Sequence, residues 1–227
     1  MMPESRSSST LDRPTADRIA EYLGNTTRQL LRNIPQAEDL TNEECRGIIA
    51  RYNAVLEGNF IYWMTGAFLA AKSPQSREII LDNLTEEVRD SHPEMLRRFT
   101  KAAHAGPDDS DVMAVHSKLS KVRLFIGKLS PAPIIAMMAF YEDFIMRFMP
   151  ILAEYAAKRG SAEREYTDVH SLCDAEHSAG LFRALEIEKA LANDPREPEE
   201  YLFEGVDLLQ ALIKDIIGKP AQAALSC

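Results

Sequence analysis

Two histidines and an aspartate, His170, Asp174 and His177, stand in the run HSLCDAEH. On a helix turning about 100° per residue, positions i, i+4 and i+7 fall within about 60° of one another. Two imidazoles and a carboxylate then project from successive turns toward one point, where they can bind one metal or be shared between two. Imidazole and carboxylate suit iron or manganese, and a set without thiolate is not that of a structural zinc site. A solvated face carrying HxxxDxxH by chance is the plain alternative.

Two glutamates interrupt apolar stripes. Glu142 shares its helical face with Ile135, Met138, Met146 and Met149, and Glu57 shares one with Ala50, Ala54, Phe60, Ile61 and Met64. A carboxylate buried there is costly unless it is protonated, paired or bound to a metal. A face that meets water or an arginine would explain either one without chemistry. A further cluster is Asn83-Leu84-Thr85-Glu86-Glu87, followed by His92-Pro93-Glu94. Glu87 and His92, five residues apart, cannot share one face of an unbroken helix, but a break at Pro93 lets His92 fold back toward the carboxylate. Glu86 competes with Glu87, and spacing does not separate them. His104 and His116 read as solvent-facing, and Lys118, Lys121, Arg123 and Lys128 as a solvated basic face. Cys45, Cys173 and Cys227 form no CxxC pair, so no structural disulfide is expected. Cys173 lies one residue off the histidine face and reads as packed.

The elements that must position these groups are helices, with no convincing strand pair. The pattern predicts helices over about 14–32, 41–72, 73–89, 93–106, 109–129, 130–159, 162–192 and 198–217. Thr41 with Glu44 makes a capping box, and Pro74, Pro93 and Pro131 open helices. Short connections and uniform composition imply one all-α bundle of seven to eight helices over 14–218, between a disordered tail at 1–13 and a loose one at 219–227.

The order of these signals, an isolated Glu57, NLTEE with a following His-Pro, an isolated Glu142 and then HxxxDxxH, resembles the haem-oxygenase-like di-iron oxidases and oxygenases. The resemblance covers about Arg51 to Leu181. It implies a seven-helix bundle without haem, two Fe(II)/Fe(III) ions, and O2 as co-substrate. The chemistry it implies is N-oxygenation, oxidative C–C cleavage or decarboxylation of an amino-acid-like or fatty-acid-like small molecule, in natural-product biosynthesis. Carried over by position, the implied ligands are Glu57, Glu87, His92, Glu142, His170, Asp174 and His177, with Glu86 as the alternative to Glu87. Only Val88 to Ser91 separate the acid from His92, where the family often has a Gly-rich loop. Phe60, Met64, Tyr141 and Tyr166, with Phe140, are candidates for the substrate wall, though core packing is a sufficient role for each. An external electron donor is compatible with this chemistry.

Three other readings compete. A ferritin-like iron-oxidising bundle usually presents two ExxH motifs, and this chain has none. A metal-free relative would be a cofactorless oxidase or a thiaminase-like hydrolase, and the latter needs a reactive cysteine, for which neither Cys45 nor Cys227 has an evident base nearby. A helical interaction module would pair its buried acids with arginines. A net charge of −9 argues against nucleic acid as partner. The most apolar stretch, Ile134 to Met149, contains Glu142, Asp143 and Arg147, so no membrane span is expected. The polar start, MMPESRSSSTLDRP, lacks the apolar core of a signal peptide, and the expected address is the cytoplasm. A homodimer is a fair expectation, since two-fold assemblies are common.

One dynamic expectation follows. Glu163, Glu165, Asp168, Asp174 and Glu176 crowd charge around the two histidines, and Gly160 and Gly180 soften the segment's ends. Residues 161–180 are therefore expected to be loosely ordered without metal and to become helical when two ions bind.

Overall fold

A computed structural model describes residues 16–192 and 199–218, with the side chains at 16–17, 172–175 and 199–200 outside that description. The tails expected at 1–13 and 219–227 also lie outside the described residues. Every regular element among those described is helical: α1 Ala16–Leu31, a 3-10 turn at Ala37–Asp39, α2 Asn42–Leu56, α3 Asn59–Ala70, α4 Pro74–Arg89, α5 His92–Ala102, α6 Asp109–Ile126, α7 Pro131–Lys158, α8 Glu165–Leu191 and α9 Glu199–Ile217. No described helix is long and apolar enough to cross a membrane.

The capping chemistry is as the sequence implies. Thr41 Oγ1 accepts from the Glu44 N–H at 3.2 Å while the Glu44 carboxylate accepts from the Thr41 N–H at 2.7 Å. Ser73 caps α4 ahead of Pro74, and Asp108 with Asp111 forms a second capping box at α6. One expected element is corrected. The single helix predicted from Thr41 to Lys72 is two helices, because Gly58 takes a left-handed φ of 77° and ends the run after Glu57. The described bundle therefore has nine α-helices, and Glu57 terminates α2 instead of standing midway along an apolar face.

The 28-residue α7 is the axis of the bundle, packing against α8, α9, α1, α2 and α3. Residues Ile134 to Ala139 on it are all fully buried, so its polar Glu142, at 2 % exposure, sits in the middle of the core.

Helix α8 lies antiparallel along α4, and a ladder of contacts sets the register. Glu188 Oε1 accepts the N–H groups of Lys72 and Ser73 at 3.0 and 2.8 Å. Ser76 Oγ reaches the Ala184 carbonyl at 3.4 Å, and a Cβ on Gly180 would stand 3.1 Å from Ile79 Cγ2. At the far end of the ladder His177 meets Glu86. Gly180 is thus a point of close helix approach, and α8 is helical from Glu165 after an irregular stretch at 161–164.

Candidate metal centre

Helix α4 ends at Arg89 with Asp90 as its C-cap, and Ser91 reverses the chain in a left-handed conformation with φ 56° and ψ 40°. Pro93 then starts α5 in its first turn, where the missing N–H costs nothing. This turn brings His92 back over the end of α4, so that His92 Nδ1 and Glu87 Oε1 are 2.8 Å apart. His170, from the first turns of α8, completes the group, its ring centroid 4.6 Å from that of His92. Ligand atoms of Glu87, His92 and His170 all lie within 4.8 Å of one another, and all three residues are buried.

The hydrogen bonds fix how the rings present themselves. A carbonyl can only accept, so His170 Nδ1–H donates to the Tyr166 carbonyl at 2.8 Å and leaves Nε2 with a free lone pair. Burial pushes the His170 pKa down to about 4, opposed by the Glu87 charge, which keeps the ring neutral near pH 7. Burial works against the charged form of His92 as well. There the Glu87 hydrogen bond and its charge outweigh burial, and the pKa lies above the ordinary histidine value.

Glu142 borders the same pocket as Glu87, His92 and His170, together with Phe60, Leu96 and Tyr166. The pocket is small, about 20 Å³, with room for a water or an ion. The two adjacent glutamates of α4 have separate partners. Glu87 faces the His92–His170 group, while Glu86 Oε2 lies 2.8 Å from His177 Nε2. His177 is 5 % exposed, and its Nδ1 has no hydrogen-bond partner among the described residues. Asp174 belongs to α8 between the two histidines, but its side chain, like that of Cys173, lies outside the described residues.

The remaining candidates divide. Glu57 is not in the cluster. Its side chain is 40 % exposed and pairs with Arg97, because the break at Gly58 carries it to the rim. Of the proposed substrate wall, Phe60 and Tyr166 line the pocket, whereas Met64, Phe140 and Tyr141 are packed in the core, Tyr141 edge-on to Trp63 at 5.5 Å. His104 and His116 are exposed, as expected. Cys45 is a buried free thiol.

Three contributors escaped the sequence reading. Arg97 pairs with Glu57, Glu188 sets the α4–α8 register, and Tyr52 hydrogen-bonds through its hydroxyl to that of Tyr166 at 2.8 Å. Each acts across a long stretch of chain that no local pattern marks. Neither a protein-family model nor a curated protein matches this sequence, so the functional reading rests on the residues themselves.

Proposed function

We propose that this chain is a non-haem di-iron oxidase or oxygenase with a haem-oxygenase-like bundle. In this reading it activates O2 to oxidise a small amino-acid-like or fatty-acid-like molecule in the cytoplasm, by N-oxygenation or C–C cleavage in natural-product biosynthesis. The observation that carries the reading is the convergence of Glu87, His92 and His170 in the core, from three elements, on a pocket that Glu142 also borders. The donors fit iron: two imidazoles and two carboxylates, no thiolate, and a His170 held neutral with its Nε2 lone pair available.

Glu87, His92, His170 and Glu142 would hold one ion, and Glu86 or Glu87, His177, Asp174 and Glu57 would serve a second. When bound, two ferrous ions supply between them the two electrons that open O2 chemistry, and an external donor returns those electrons. The chain's own contribution is positional. The Tyr166 carbonyl orients His170, and the Tyr52 hydroxyl anchors the Tyr166 side chain. Phe60, Leu96 and Ile145 give the pocket apolar walls that disfavour bulk water beside the ligands.

A single-ion centre is the second reading, favoured by one observation. Glu87, His92 and His170 alone among the described residues form a metal-sized donor group of three.

The test is O2 uptake by anaerobically iron-loaded protein against a panel of amino acids and fatty acids. The di-iron reading expects uptake that one class of substrate accelerates and that His170→Ala abolishes. Steady iron oxidation with no organic product would instead identify a ferroxidase.

A further inference from the structure

Glu57 Oε1 accepts from Arg97 Nε at 2.7 Å, and Arg97 Nη1 donates to Glu94 Oε2 at 2.8 Å. The residues on either side of this pair line the metal pocket: Leu56 and Phe60 around Glu57, and Pro93 and Leu96 around Glu94 and Arg97. The pair therefore spans the pocket's rim, from the α2–α3 break to α5, the helix that opens with His92. On the α2 side Gly58 has φ 77°, and nothing lies within 4 Å of the Cβ it lacks.

From this geometry we infer that Arg97 is a positioning residue that holds Glu57 at the rim, so that recruiting Glu57 to a metal requires breaking the Arg97–Glu57 pair. The inference rests on the metal-centre reading above and adds to it a latch. The side chains of Arg97 and Glu57 are 52 % and 40 % exposed, which makes the pair weak enough to exchange. A divalent ion in the pocket is a stronger partner for a carboxylate than a solvated guanidinium is. Arg97 loses little by the exchange, because Glu94 remains bonded to it. The latch accounts for a carboxylate that the family resemblance implies as a ligand and the fold places outside the cluster.

Anaerobic Co(II) titration tests this, read by calorimetry and by the visible absorption of Co(II), whose intensity reports coordination number. Four proteins are compared: wild type, Arg97→Gln, Glu57→Gln and the double variant. Arg97→Gln should bind Co(II) roughly two- to fivefold tighter, the worth of one exposed ion pair, and should shift the spectrum toward higher coordination. In the Glu57→Gln background, removing Arg97 should change neither quantity. Equal affinity and spectrum in wild type and Arg97→Gln would overturn the latch. So would the same gain in both backgrounds, which would reduce Arg97 to a general charge effect. A wild-type protein that takes up no Co(II) sinks the metal-centre reading itself, and the latch with it.

Discussion

Glu188 lies on α8 with His170 and His177 and ties that helix to the start of α4. Its carboxylate is 1 % exposed, and Oε1 accepts two backbone N–H groups, those of Lys72 and Ser73, at the turn that starts α4. Glu188→Ala removes the one acceptor that both N–H groups share. Each N–H left unsatisfied in the interior costs about 1–3 kcal/mol, so the variant should lose about 3 kcal/mol of stability. For a chain of this size that corresponds to a fall in Tm of about 6–12 °C. Glu188→Gln keeps an acceptor oxygen for the two donors and removes a charge whose Oε2 is buried without a hydrogen-bond partner, so it should cost less than about 1 kcal/mol. Because the same clamp holds the α4–α8 register that ends at Glu86 and His177, Glu188→Ala should also weaken Co(II) binding at temperatures where the protein is still folded. Urea unfolding, thermal melts and Co(II) titration of the two variants give the answer. A Glu188→Ala protein within about 1 kcal/mol of wild type would refute the clamp, because one buried and one part-buried donor cannot be abandoned so cheaply.

Gly180→Val should destabilise by about 1–3 kcal/mol in denaturant unfolding, because even its Cβ would meet Ile79 at 3.1 Å where α8 and α4 are closest. Metal affinity should fall with acid, since an ion must displace the proton that Glu87 helps His92 retain. His170, at about 4, adds a second proton only in stronger acid, so within the Glu87–His92–His170 group histidine competition near neutral pH should come from His92, and a pH series of Co(II) titrations with no slope there would contradict this. Hydrogen exchange across 168–177 should slow when metal is added, and equal, strong protection in both states would end the argument that ion binding and α8 order are coupled. His104→Ala and His116→Ala, both at exposed positions, should leave metal content unchanged in elemental analysis.

The legible parts were those in which a few neighbouring residues decide the outcome. Pro93 after His92 signalled the turn that folds His92 onto Glu87, and a contact between residues five apart is what the structure contains. Glu142 declared itself by interrupting an apolar stripe on a helix whose stretch from Ala132 to Glu142 proved buried. Thr41 and Glu44 marked the start of α2 correctly. The break after Glu57 was missed because apolar residues continue on both sides of Gly58 at helical spacing, and one glycine with φ 77° overrides that periodicity. That error displaced Glu57. The choice between Glu86 and Glu87 could not be made from spacing, since adjacent residues on α4 each found a histidine, and only the packing of α5 and α8 says which. Arg97, 40 residues from Glu57, and Glu188, 115 from Ser73, left no local trace because their partners are brought to them by tertiary packing alone.

Metal stoichiometry is the most direct test of the central claim. Protein reconstituted anaerobically with excess Fe(II), desalted and analysed for iron should retain close to two ions per chain. Glu87→Ala, Glu142→Ala and His170→Ala should each lower that content while the folded helical signal persists. Retention of one ion, lost on His170→Ala, would establish the single-ion centre in place of the pair. Full iron content in Glu87→Ala and His170→Ala, or no retained iron in the wild type, would contradict the claim that these buried side chains form a metal centre.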